Sequence, residues 1–174
     1  KFDIATKREV DRKVHSDFPK YTKEQEILQV EGHIYYVSEA FDKKTRTFTV
    51  SAREINPDDL SMGELTTLFT TDREVTATPA ALGAQPAFGF GFVGGNKFEV
   101  ISSFDGSKIL IRYRLKPKSR KDSENYDELG FFVFDNKLNK LWGKEQTMPY
   151  TEKEMNNLAY TVASDGTAYM LALV

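Results

Sequence analysis

The amino-acid sequence predicts an all-β fold, and three observations carry that reading. A hairpin unit recurs: the run from Val100 to Ile111 returns as Tyr160 to Leu171, each an apolar stretch, an Asp-Gly pair and a second apolar stretch, the pattern expected of two strands joined by a tight turn. A weaker copy runs from Ile27 through Glu31-Gly32 to Val37. Composition agrees, since thirteen Phe, eight Tyr and a 40% hydrophobic content in 174 residues favour strands and suffice for a core. Finally, Thr47 to Ile55 alternates with Phe48, Val50 and Ala52 on one side, the period of a half-buried strand.

Taken in order, residues 1–26 form a charged N-terminal arm in which Ile4, Val10, Val14 and Phe18 give a loose helical stripe ended by Pro19, so it reads as extended or partly helical. Its alternative role is docking a partner. Residues 27–72 supply a first four-stranded unit, with strands at Ile27–Val30, His33–Ala40, Thr47–Ile55 and Leu65–Phe69 and a turn at Asn56-Pro57-Asp58-Asp59. Residues 73–96 are a Gly/Ala/Pro-rich insertion. Its Gly89-x-Gly91-x-x-Gly94 lacks the following helix of a dinucleotide site and reads as a Gly-rich strand or loop. Residues 97–150 give a second unit, with strands at Phe98–Ser103, Lys108–Leu115, Gly130–Phe134 and Leu141–Gln146, and residues 151–174 give half of a third. Asp105-Gly106 and Asp165-Gly166 are the structural turns between the first and second strands of the second and third units, read as equivalent two-residue loops.

Copies about 60 to 75 residues apart fit β-propeller blades carrying inserted loops. The expected architecture is therefore a propeller-like array of four-stranded antiparallel blades, two complete and one partial. The start without Met and the apolar finish at Ala172-Leu173-Val174 predict a piece of a longer protein, because an apolar strand is an unusual natural end.

The chemistry that composition excludes is broad. No Cys is present, which removes disulfides, thiolate nucleophiles and Cys-based zinc sites. A net charge of −2 gives no basic field for nucleic acid, and no apolar run reaches membrane-span length. His15 and His33 stand apart, without a nucleophile or ligand-spaced partner, and read as satisfied or solvent-facing. The expectation is no catalytic residue, no metal and no cofactor. Asp58, Asp59, Glu124, Asp127 and Glu128 are the carboxylates a glycosidase-type site would need, but all lie in polar turns. Arg114, Lys116, Lys118, Arg120, Lys121 and Tyr126 line a long loop, the kind of segment that binds partners from a rigid scaffold. The whole stretch from Lys116 to Glu128 is expected to be exposed, with Phe132, Phe134 and Trp142 buried.

The run Ser103 to Ile111 resembles the Ser-Pro-Asp-Gly hairpin of TolB-type and WD-like propeller blades, with Phe104 in place of Pro. The longer pattern from Phe132 through Leu141-Trp142 to Met148-Pro149-Tyr150, followed by Ala163 to Tyr169, resembles envelope propellers of Bacteroidetes-type bacteria that have no assigned chemistry. That resemblance spans about residues 31 to 174 and implies a fold and an envelope setting, periplasmic, outer-membrane-associated or extracellular. It carries over no catalytic residue. The function expected is a non-enzymatic scaffold or partner-binding module of an envelope complex, pairing with other subunits or the remainder of its own polypeptide. The alternative is a glycan-binding or glycan-active propeller whose catalytic blades lie elsewhere.

Overall fold

The computed structural model describes residues 1–76, 96–119 and 121–174, which contain thirteen strands and no helix. All strand pairing is antiparallel. The chain divides into two compact units, Lys1–Asp72 and Arg73–Val174.

In the first unit β1 (Phe2–Asp3) and β2 (Arg8–Glu9) make a small ladder, and β3 (Thr22–Val30), β4 (His33–Asp42), β5 (Thr47–Ile55) and β6 (Thr66–Thr71) form a four-stranded meander. The arm is therefore not helical, and its expected boundary at residue 26 falls inside β3, where Thr22 already pairs with Ala40. Nor is β5 covered on one face only. Phe48, Val50 and Ala52 are buried, and so is Ser51 on the opposite face. That second face carries Tyr36 and Arg53, a cross-strand pair. Phe18 of the arm packs on Tyr36 at 5.3 Å between ring centroids and lies under the Arg53 guanidinium, while Asp17 pairs with Arg53 at 2.7 Å. No helix forms before Pro19, and the apolar Phe18 of the expected stripe packs on the meander instead.

In the second unit β7 (Val75–Thr76), β8 (Phe98–Ser102), β9 (Lys108–Leu115), β10 (Tyr126–Asp135) and β11 (Lys140–Thr151) make one sheet, with β12 (Asn156–Val162) and β13 (Ala168–Leu173) as a separate hairpin. β7 and β8 share one edge of β9: Thr76 sits opposite Arg114 and Phe98 opposite Tyr113, consecutive positions. The sequence places an insertion between two units, but its start belongs to the second sheet. The chain leaves a single strand line at Thr76 and rejoins it at Phe98. Residues 77–95, with the Gly89 to Gly94 motif, lie outside the described residues.

The hairpin lies on one face of the sheet. Leu110 and Val133 pack with Val162, and Leu129 and Met148 with Met155, with Tyr160, Met170 and Ala172 against the same layer. The alternation of β9 explains the rest: Ile109, Ile111 and Tyr113 point away from the hairpin and are also fully buried, so this strand reads as a doubly covered one. At Gly130, the cross-strand partner of Tyr113, an added Cβ would run into the Tyr113 ring. The glycine is there for space.

Candidate functional site

The turns that end the sheet come first, because they carry the repeat. In both Asp-Gly turns the glycine N–H donates to the carbonyl three residues back, Gly106 to Ser103 and Gly166 to Ala163, each at 2.9 Å. Both glycines hold a left-handed backbone, φ +71° and +86°, whereas neither aspartate does. The expected two-residue loop needs positive φ at both positions, so that expectation is corrected: Asp-Gly here closes a type I turn and then steps into the left-handed region. Each Asp accepts the N–H two residues on, from Ser107 at 3.1 Å and Thr167 at 2.8 Å. These bonds favour the charged form; the Ser103 hydroxyl leads in lowering the Asp105 pKa and the Thr167 backbone in lowering that of Asp165. The two-residue loop does occur, in the weaker copy, where Glu31 and Gly32 have φ +43° and +85° between the paired Val30 and His33.

Phe104 at the turn tip is fully exposed. Trp142, expected inside, is 37% exposed. It pairs with Val133 on the hairpin side of the sheet, where its indole N–H donates to the Gly166 carbonyl of the hairpin turn at 2.9 Å. Phe134 is buried, whereas Phe132 is half-buried, with the Lys140 ammonium over its ring at 4.6 Å.

At the opposite end of the sheet lies the long loop. The structure does not leave its basic residues free. Arg114 reaches Asp127 at 2.5 Å and Glu152 at 2.9 Å, Lys116 reaches Glu74 at 2.7 Å, Lys118 reaches Glu128 at 2.5 Å and Lys121 reaches Glu124 at 3.0 Å. Arg120 lies outside the described residues. The loop is also not exposed throughout, since Asn125 and Asp127 are buried. Asn125 folds the loop back by accepting the Ser119 N–H and donating to its carbonyl, and Asp127 faces the hairpin, where Asn157 donates to it at 2.9 Å. Tyr126, between them in the strand alternation, is half exposed. Beside it opens a cleft of about 190 Å³ lined by Lys116, Lys118, Glu124, Asn125, Tyr126 and Glu152 among others. That is smaller than the several hundred Å³ typical of pockets for organic ligands. It is the size of a single side chain.

Sequence reasoning did not find the polar layer between sheet and hairpin. Arg112, buried, pairs with Glu99 and lies 3.8 Å from the Tyr160 ring centroid. Burial opposes the Arg114 charge, and Asp127 and Glu152 more than offset it, leaving its pKa raised. For Tyr160 burial itself raises the pKa. The only signal for this layer is the alternation of Leu110, Arg112 and Arg114 on one face of β9, with Asp127 on the matching face of β10. A guanidinium over an aromatic ring and paired with carboxylates is a stable way to bury charge. Its chemistry is structural.

The remaining candidates are placed as follows. His15 bonds the Leu60 carbonyl at 3.0 Å and His33 the Glu54 carboxylate at 2.7 Å. Glu128 is held between Lys118 and Arg73, which depress its pKa in that order. Asp59 is lowered by the Ser61 hydroxyl. A glycosidase acid needs a raised value, and each described carboxylate that shifts moves down. Among the described residues no three His, Asp or Glu side chains are grouped to hold a metal ion, and no helix is long and apolar enough to cross a membrane. A scan of protein-family models and searches of curated proteins and solved structures returned no match.

Proposed function

We propose that the chain is a non-enzymatic β-propeller-type scaffold, its sheets acting as successive blades, that binds protein partners in a bacterial envelope complex. The observation that carries this reading is the outer face of the β12–β13 hairpin. Its inner side is seated on the sheet, while Tyr169, Leu171 and Leu173 on the other side are 55 to 60% exposed. A strand apolar on both faces is built to be covered on both, and an open apolar edge invites association. The equivalent glycine turns and the stacking of the hairpin on the preceding sheet support blades. The envelope setting rests on the resemblance alone. Lys116, Lys118 and Tyr126, which line the small cleft, supply a second contact that takes one partner side chain.

The glycan reading keeps one favourable observation, the partly exposed Trp142. Its indole N–H is engaged by Gly166, and each described carboxylate whose pKa is shifted moves down, away from what a glycosidase acid requires. The test is to isolate the native protein from a mild envelope extract and measure the mass of its assembly beside turnover of glycoside substrates. A stable assembly heavier than the lone chain, without turnover, is the expected result. A lone chain that hydrolyses a glycoside, and loses that activity with Glu128→Gln, overturns the scaffold reading.

A further inference from the structure

We propose that Tyr36 and Arg53 form a recognition site for a segment of a partner protein in which an acidic residue directly precedes an aromatic one, and that residues 10–19 close this site as a built-in strap. The site lies in the first unit, apart from the hairpin on which the scaffold reading rests.

The two faces of the meander differ in kind. On the core side of β4 and β5 stand Val37, Val50 and Ala52, all fully buried. On the other side the cross-strand pairs are Tyr36 with Arg53 and Ser38 with Ser51. Both serines are buried, and the Arg53 side chain is only 11% exposed. A face covered for stability alone is apolar, whereas tyrosine and arginine are the residues on which binding interfaces concentrate their energy.

The strap is held to the meander by few contacts. Residues 10–19 form no ladder, and of them only His15 and Phe18 are half-buried. The Lys13 ammonium reaches the Asp59 carbonyl at 3.5 Å and His15 the Leu60 carbonyl at 3.0 Å. Phe18 lies against Tyr36 and under the Arg53 guanidinium, while the exposed Asp17 accepts from one arginine nitrogen, Nη1. The Arg53 Nε is buried and has no hydrogen-bond partner among the described residues. An arginine fork suits two parallel bonds to one carboxylate, so Asp17 leaves part of the site unused.

That unpaired donor sets the ligand. A glutamate, one methylene longer, brings a second bond within its reach, and an aromatic residue after it takes the place of Phe18, in the manner of acidic-motif recognition by arginine. Asp17-Phe18 is the one place in the 174 residues where an acid directly precedes an aromatic, so these residues hold no competing pair. A second copy brings the same aspartate and the same single bond, and exchange gains nothing. Another tethered segment would stand at one fixed effective concentration and leave the choice settled. A strap becomes a switch only against a ligand whose concentration varies, which makes the occupant a separate protein.

The probes are labelled peptides of the strap sequence, Lys13 to Lys20, and of its Asp17→Glu form. They are added to the 174-residue chain and to its Phe18→Ala and Asp17→Asn variants; the second keeps Phe18 and changes only an exposed side chain, so the test survives if the first fails to fold. Expected are saturable binding at least ten-fold tighter to Phe18→Ala than to the unsubstituted chain, a smaller gain with Asp17→Asn, and tighter binding of the Asp17→Glu peptide than of its parent. Adding Arg53→Lys to Asp17→Asn, which keeps the charge and removes the fork, is expected to abolish that preference with an unchanged circular dichroism spectrum. Equal binding to closed and opened chains, equal binding of a scrambled peptide, or a preference untouched by Arg53→Lys overturns the proposal. So does a dimer in sedimentation that Asp17→Asn dissolves, which assigns the site to a second copy. Absence of peptide binding to a folded Asp17→Asn chain, while the native protein still purifies in a larger assembly, defeats this inference and leaves the scaffold reading standing.

Discussion

The two Asp-Gly hairpins of the second unit differ by one residue, and that residue decides which side chains meet. Their sequences align at a constant spacing, yet one turn closes across four residues and the other across three. Side chains alternate along a strand, so a slip of one exchanges the faces. In the β8–β9 hairpin the faces are unlike, with Arg112 and Arg114 on one side and Ile109, Ile111 and Tyr113 on the other. In the β12–β13 hairpin both faces are apolar. The first register is therefore strongly specified and the second weakly.

Changing the turn lengths tests whether the register survives the turn. Deleting Ser107 gives the first turn the length of the second, so Ser103 closes on Lys108 across three residues and the pairing of Ser102 with Ile109 is kept, with both arginines on their own face. The expected loss is that of the Ser107 bonds to Asp105, about 1 to 3 kcal/mol, read from the urea midpoint. Inserting one residue after Gly166 gives the second turn the length of the first, keeps Val162 opposite Ala168 and costs about 1 kcal/mol or less. Lost cooperative unfolding after the Ser107 deletion would show that the pairing had slipped by one and driven Arg112 and Arg114 to the apolar side.

The same contrast explains what was legible in the sequence. Alternation and turn residues located the four long strands of the first meander and β8 to β11 of the second sheet with ends up to five residues off, because period-2 patterning is a local property. Asp-Gly pairs located the turns but not their type, since a single left-handed glycine is enough for the loops found here. β7 was invisible because Val75–Thr76 is a strand only by virtue of Leu115 and Arg114, which are distant in sequence. The basic loop was read as a charged surface. Its neutralisation by Glu74, Asp127, Glu128 and Glu152 depends on side-chain geometry that composition does not record.

Two glycines sharpen the comparison at a smaller scale, since one is needed for space and the other for backbone. Gly130→Ala forces a Cβ into the buried Tyr113 ring, and overpacking of that kind costs about 1 to 3 kcal/mol. Gly166 has room, with ordinary contacts to Leu141 at 3.5 Å and Val133 at 3.8 Å, but holds φ +86°. Gly166→Ala is therefore expected to lose about 1 to 2 kcal/mol from left-handed strain. Tyr113→Phe does not relieve the first, because the ring remains, whereas Gly166→Asn recovers part of the second, as asparagine tolerates that conformation. Urea midpoints check both statements, and a double-mutant cycle is the decisive pair: Gly130→Ala is expected to cost less in a Tyr113→Ala background than in the wild type, and as much in a Tyr113→Phe background.

The smallest effect distinguishes the two turn aspartates. Asp105 accepts from the Ser103 hydroxyl at 2.6 Å, the Ser107 N–H at 3.1 Å and the Ser107 hydroxyl at 2.9 Å, whereas Asp165 accepts the Thr167 N–H at 2.8 Å. Both carboxylates are lowered in the folded chain, so the unfolded chain binds the proton more tightly. Their stabilisation is then present above the ordinary carboxylate range and is lost as pH falls through the lowered folded values. Asp105→Asn is expected to lower the urea midpoint at neutral pH more than Asp165→Asn. Both deficits should shrink on acidification, because the wild-type carboxylates are then protonated and donate no charge to their turns. A deficit that stays constant down to about pH 2 would mean that the substituted side chains act through turn geometry alone, with charge contributing nothing.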